Sequence, residues 1–270
     1  MKKLKTTILL GIIISALTIP ALAQNSIDVP LSNPGEPGKL VISAMFSDEI
    51  EVRTHNQNNV IVNYNGEEQH EDDSEAMKDG LRRISGGGLG LEVTEEDNEV
   101  HITTGPMPNG DLEMLVLVPR NFGLKLNTVQ GDVKVSGLRG EMEISAVNGD
   151  IEVSDVAGTV LVNSVNGDMN IDFTAINQEN PMSFTGVNGD MEVSFPEDAA
   201  FTAKMKTEWG DVYTNFDMDI DRSSSKSESD DDNEFKIAIN KWIIGQVNGG
   251  GPEFLFKTLH GDISIRKKEN

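Results

Sequence analysis

The sequence predicts an all-β chain wound as a parallel β-helix, or β-solenoid, with coils of about 18–22 residues. The first observation is a nine-residue metre. Gly131, Gly140, Gly149, Gly158 and Gly167 lie nine apart. Val133, Met142, Ile151, Val160 and Met169 follow them by two residues, and Val135, Ile144, Val153, Val162 and Ile171 by four. A third apolar position, seven residues on, holds Leu138, Val147, Val156 and Val165. The second observation is the alternation at +2 and +4, which is the pattern of a strand with one buried face. Nine residues hold one strand and one turn, too little for a helix, and β-branched residues dominate the apolar positions.

The third observation is that the corners alternate in kind. Gln130-Gly-Asp132, Asn148-Gly-Asp150 and Asn166-Gly-Asp168 are separated by Arg139-Gly-Glu141 and Ala157-Gly-Thr159. The repeat is therefore eighteen residues with two strands, returning to one edge after each coil. An antiparallel meander would also use Asn-Gly turns, but it gives no reason for corners to alternate.

Along the chain, residues 1–23 form a leader: lysines at 2, 3 and 5, an apolar stretch from Ile8 to Ile14, and Ala21-Leu22-Ala23 before Gln24. That is the layout of a secretory signal peptide, and its apolar stretch is short for a membrane span. No later segment reaches membrane-spanning length, so the chain is expected to be exported to the periplasm, cell surface or medium. Residues 24–270 are expected to form a single solenoid domain with insertions at about 67–90 and 217–234. Alternating segments at 40–65 and 113–119 extend the stack upstream. Between them Asp72 and Glu75 predict the start of a short helix near 73–84, with Met77, Leu81 and Ile84 on one face. Gly-Asp corners return at Gly189, Gly210 and Gly261, giving six in all and a stack of roughly 30 Å at one strand spacing per coil. The segment "DMDIDRSSSKSESDDDNE", 217–234, has in its latter part the composition of a disordered loop.

The net charge of −23 becomes −26 once the leader's three lysines are removed. Such acidity argues against nucleic acid and anionic membrane surfaces. With no cysteine, disulfides, thiolate metal sites and cysteine nucleophiles are excluded. Phosphate-loop, zinc-protease and nucleophile-elbow motifs are absent, and His55, His70, His101 and His260 are scattered.

Asn-Gly-Asp has a structural reading and a functional one. Asn and Gly tolerate positive φ, Asp caps the next strand, and stacked Asn148, Asn166 and Asn188 can form an amide ladder. Against this stands calcium, bound in some β-rolls by glycine-aspartate repeats. Each corner here offers one glycine and one carboxylate, few for an ion that takes six to eight oxygens. Stacked Asp132, Asp150, Asp168 and Asp190 would nonetheless repel one another unless neutralised, which leaves weak Ca2+ binding open. No other cofactor and no dedicated metal site are expected. Asp217, Asp219, Asp221 and Glu228 fall at EF-hand spacing, but Arg222 stands where that loop needs glycine. A strand with Met218 and Ile220 inward is the expectation there.

The candidate binding residues are Trp209 and Tyr213 in "EWGDVY". Trp209 replaces asparagine at a corner and Tyr213 should point outward, so the two could stack on a sugar ring or anchor a protein. The competing reading packs Trp209 beneath the acidic loop that follows.

The run from "LEMLVLVP" through "TVQGDVKVSGLRGEMEISAVNGDIEVSDVAGTVLVNSVNGD" resembles a bacterial β-strand-repeat family of unknown function, often labelled "putative adhesin". The resemblance covers about 110–215 and the last coil, and 40–65 loosely. It implies a secreted or envelope-associated parallel solenoid with no established enzymatic activity and no catalytic residues to carry over. The expected function is a non-enzymatic binding or structural module of the cell envelope, adhesive in one form, with an unidentified protein or glycan as partner. A carbohydrate-active β-helix enzyme, lyase or glycosidase, and a periplasmic scaffold are the alternatives.

Overall fold

The computed structural model describes residues 25–65, 77–78, 81–82, 90–105, 112–221 and 242–268. Its first strands are β1 (Asn25–Pro30), β2 (Lys39–His55), β3 (Asn59–Asn65), β4 (Met77–Lys78), β5 (Leu81–Arg82), β6 (Glu92–Glu96), β7 (Glu99–Thr103) and β8 (Glu113–Pro119). The middle holds β9 (Gly123–Ser136), β10 (Met142–Asn148), β11 (Ile151–Gly158), β12 (Val160–Asn166), β13 (Met169–Ile176), β14 (Met182–Asn188) and β15 (Met191–Phe195). The last are β16 (Phe201–Trp209), β17 (Val212–Thr214), β18 (Met218–Asp221), β19 (Ile243–Val247), β20 (Glu253–His260) and β21 (Ile263–Lys267).

These strands make a two-faced, mostly parallel, solenoid-like stack. Face A carries β7, the first half of β2, the first half of β9, then β10, β12, β14, β20 and β16, each parallel to the next. Face B carries β8, the second halves of β2 and β9, then β11, β13, β15, β21 and β17, again all parallel. The Gly-Asp corner joins the faces; β9 bends straight through it at Gly131-Asp132, and β2 bends at Ser47-Asp48, which stacks on it. Met142 pairs with Leu124 on one side and Val160 on the other, so neighbouring rungs here are eighteen residues apart. Antiparallel strands flank both ends: β6 on β7, β3 and β1 beyond β8, and β19 with β18 beyond β16.

The core fills the wedge between the faces. Inward residues far from the corner are large, such as Leu124, Ile144, Val162 and Phe184, all buried. Next to the corner they shrink to Ala44, Thr128, Ala146, Ser164 and Thr258, because the converging sheets leave no room for more. Toward the C-terminal end the core turns aromatic. Phe201 stacks on Phe254 at 4.8 Å, Phe184 on Phe256 at 5.1 Å and Phe173 on Phe195 at 5.1 Å between ring centroids.

Four expectations need correction. The helix near 73–84 is not what its described residues form: β4 and β5 make a two-stranded antiparallel pair, and the rest of the span lies outside the described residues. The last coil does not stack last. β20 lies between β14 and β16, and β21 between β15 and β17, so the chain returns to insert its final rung between two earlier ones. Residues 218–221 are a strand, but Ile220 is 39% exposed rather than inward; with Met218 it covers Gly245 on the neighbouring strand. Finally, the third apolar position of the repeat faces two ways. Leu138 and Val156 are buried, whereas Val147 and Val165 are exposed. Positive φ at Gly137 (82°) and Asp155 (52°), the latter within a register shift of β11, turns the next side chain inward. At the Asn-Gly-Asp corners the strand runs on unbroken, and alternation sends the same position outward.

A carboxylate clamps the first end. Glu95 accepts hydrogen bonds from the Ser32 and Asn98 amides, both at 2.9 Å, and from the Ser32 hydroxyl at 3.0 Å. The Ser32 amide bond, then that of Asn98, holds the Glu95 pKa below its ordinary value. A depressed folded-state pKa adds stability above the unfolded-state pKa, which is lost as pH falls through the folded value. Glu95→Gln is therefore expected to lower Tm at pH 7, with the gap to wild type closing as pH drops below the carboxylate range; a gap that stays constant in a pH series would refute the clamp.

Candidate binding site

The corner is built for stacking. Gly149, Gly167, Gly189 and Gly261 have φ between +129° and +140°. A Cβ on Gly167 would sit 2.1 Å from the carbonyl oxygen of Gly149, and one on Gly261 2.1 Å from that of Gly189. Only glycine meets both demands. The following aspartate ties rung to rung. The amide of Asp150 donates to Asp132 Oδ1 (3.0 Å), Asp168 to Asp150, Asp190 to Asp168, Asp262 to Asp190 and Asp211 to Asp262, the last four at 2.8 Å. The asparagines do the same with side chains: Asn166 Nδ2 donates to Asn148 Oδ1 at 3.0 Å, and Asn188 Nδ2 to Asn166 Oδ1 at 2.8 Å. The motif is thus a structural corner, with one oxygen of each inner aspartate engaged by a neighbouring amide. Among the described residues no group of three or more His, Asp or Glu side chains is placed to hold a metal ion.

On face A the last outward residue before six of the corners is aliphatic and exposed: Met45, Val129, Val147, Val165, Val187 and Leu259, each 38–47% accessible; on the β16 rung that position is Glu208, beside Leu259. Strand register stacks the aliphatic residues in one column across six rungs. A parallel column of hydroxyls and amides, Ser43, Asn127, Ser145, Asn163 and Thr185, runs alongside. Between and over them lies an open trough of about 870 Å³. Among the described residues its lining contains no carboxylate and no histidine, and Lys257 is its only charge. Lys257 enters no ion pair among the described residues. In a chain with 45 acidic residues, that is a neutral lane.

Trp209 and Tyr213 sit on the rung that β16 and β17 supply. Trp209 pairs with His260, its indole stacked on the imidazole at 6.2 Å and 10° between planes, and it remains 71% exposed. Asn148, Asn166, Asn188, His260 and Trp209 form one continuous corner column. Tyr213 is half exposed, its hydroxyl 3.4 Å from Asp211 Oδ2. The charge of Asp211, then that of Asp262, raises the Tyr213 pKa above its ordinary value. The acidic segment 222–234, under which Trp209 might have been expected to pack, lies outside the described residues. The exposed aliphatic column was not anticipated. Its signal was present in the unbroken strand before each Asn-Gly-Asp, where no glycine or aspartate stands to reverse the alternation.

Residues 122–241 match the family described as Toastrack DUF4097. The match bears out the resemblance to an unknown-function repeat family. No curated protein matches the chain. Among solved structures, one from Clostridium sporogenes ATCC 15579, called a "putative cell adhesion protein", superposes with a TM-score of 0.52 at 12% identity. It covers 91% of this chain and 99% of its own, and shows likeness of fold. A "putative adhesin" from Bacteroides fragilis NCTC 9343 is 11% identical, covering 92% of this chain and 99% of its own; its TM-score of 0.35 is too low to carry an argument. Among the described residues no helix is long and apolar enough to cross a membrane.

Proposed function

We propose that the chain is a non-catalytic binding module of the cell envelope, exported by its leader, with the face A trough as its contact surface. The observation that carries this is the column of exposed aliphatic side chains held in register on a rigid stack. Water-exposed apolar surface of that length and regularity is what an interaction site looks like. The described lining of the trough offers hydroxyls, amides and aliphatic groups and no carboxylate pair, which favours binding over hydrolysis. The name borne by the C. sporogenes neighbour points the same way. Trp209, at the corner end of β16, extends the contact surface at one end, while Tyr213 lies on face B; adhesion is the form the function takes if the trough faces outward from the cell.

Two measurements test this. A tag after Asn270, probed by antibody on intact and lysed cells, reports the location. Labelling of intact cells supports an adhesive role, and labelling only after lysis moves the module to the periplasm. The second measurement is envelope binding by protein purified after export. The Val147→Asp, Val165→Asp double variant is expected to bind isolated envelopes at least about tenfold more weakly, with an unchanged circular dichroism spectrum. Unchanged binding would remove the trough from the function.

A further inference from the structure

Resting on that reading, we infer that the trough takes a neutral, linear glycan whose rings lie end to end along the stack axis, one ring to a rung. The lane is banded. The aliphatic column from Met45 to Leu259 forms its centre and the Ser43–Thr185 hydroxyl and amide column its polar margin, while the corner asparagines Asn148, Asn166 and Asn188 follow the aliphatic column along each strand, outside the trough's lining. A pyranose ring has the matching chemistry: a C–H face for the aliphatic centre and hydroxyls at its edge for the polar margin. Asn166 and Asn188 each commit one amide N–H to the asparagine of the next rung and Asn148 commits one to the Val129 carbonyl, which leaves a second N–H on each.

Spacing selects among polymers. Adjacent rungs lie about 4.8 Å apart, close to the rise of one ring in an extended, equatorially linked glycan. An extended peptide advances about 3.3 Å per residue with side chains on alternate sides, so three residues span two rungs and successive rungs do not meet equivalent groups. An acyl chain would cover the centre but strip water from the polar margin without replacing its hydrogen bonds, which is costly. Charge selects too. An anionic polymer would meet an exported chain of net charge −26 (−23 with three lysines removed) and find, among the described residues of the trough, only Lys257 to offset it. Six rungs span roughly 24 Å, so about six rings fit. At the far end the corner column finishes in stacked His260 and Trp209, and the exposed indole offers a platform for a terminal ring.

The test is calorimetric titration of the exported full chain with neutral β-1,4-linked oligosaccharides, cellobiose to cellohexaose and chitobiose to chitohexaose. In at least one series, affinity is expected to rise with each added ring, by about tenfold or more from two rings to six, and to be insensitive to salt. Val165→Asp and Trp209→Ala should each weaken hexasaccharide binding at least threefold while leaving the melting temperature unchanged. No affinity for either hexasaccharide, or affinity independent of ring number, overturns the proposal. So does tight binding of hexadecanoate that Val165→Asp abolishes, or sedimentation as a dimer that the same variant splits. If the hexasaccharides fail while the trough variants still lose envelope binding, the ligand class is wrong and the binding-module reading stands.

Discussion

Gly167→Ala should unfold the middle of the stack. The added Cβ would meet the carbonyl oxygen of Gly149 at 2.1 Å, and the backbone there holds φ at +140°, a conformation an L side chain resists. The obstacle is backbone on a neighbouring rung, so no rotamer change relieves it. Backbone strain and overpacking each cost about 1–3 kcal/mol, and relief by separating the rungs would break the hydrogen bond from the Gly149 amide to Asn166 O (3.1 Å) and the aspartate link from Asp168 to Asp150. A loss of about 2–6 kcal/mol is expected in urea unfolding. Gly249→Ala is the control: φ there is +87°, but nothing lies within 4 Å of an added Cβ. It should cost about 1 kcal/mol, from backbone strain alone. Equal losses in the two variants would show that stacking distance is not what glycine serves at the corner.

Deletion of 253–270 should release 201–221 from the stack rather than trim its end. β20 and β21 lie between the rung of β14 and β15 and the rung of β16 and β17. Removing them takes out Phe254 and Phe256, both fully buried, and leaves Phe201 and Phe184 without their stacked partners. Truncation of one such side chain costs about 3–5 kcal/mol, and here two are lost together with both ladders that join β16 and β17 to the rest of the stack, which leaves β16 paired only with β19. Limited proteolysis should cut rapidly within 201–221 while 123–195 stays protected. Had the coils stacked in chain order, 201–221 would remain protected and only a terminal rung would be missing. Protection of 201–221 in the truncated chain would therefore contradict the intercalated order.

Both experiments bear on what could be read without coordinates. The strand-and-corner repeat, the parallel stack and the asparagine ladder were legible because they are local or strictly periodic; the aspartate links were not, since stacked carboxylates were expected to repel and the backbone amides that engage them belong to the next rung. A glycine at positive φ, an alternation of period two and a repeat offset of eighteen residues are all written within one or two coils. Trp209 and Tyr213 were found the same way, by their departure from the corner pattern, and both are exposed in the structure. The short helix near 73–84 failed because cap and periodicity cues over a dozen residues are weak priors against pairing. The aliphatic column was missed because its residues share a template position with the buried Leu138 and Val156, and only the positive φ at Gly137 and Asp155 separates the two cases.

By itself, then, the sequence determined the unit: strand, glycine corner, strand, and the residues that bind each rung to its neighbour. Tertiary structure alone decided the order in which the units stack and which face of the repeat stays wet. The rung edges are nearly interchangeable, each offering the same corner glycine, aspartate and strand ladder, so local sequence does not dictate which edge receives the last coil. That choice rests on non-local packing, where Phe254 and Phe256 fit between Phe201 and Phe184. The wet face follows from parity: one residue of left-handed backbone turns a side chain into the core, and its absence leaves a valine in water.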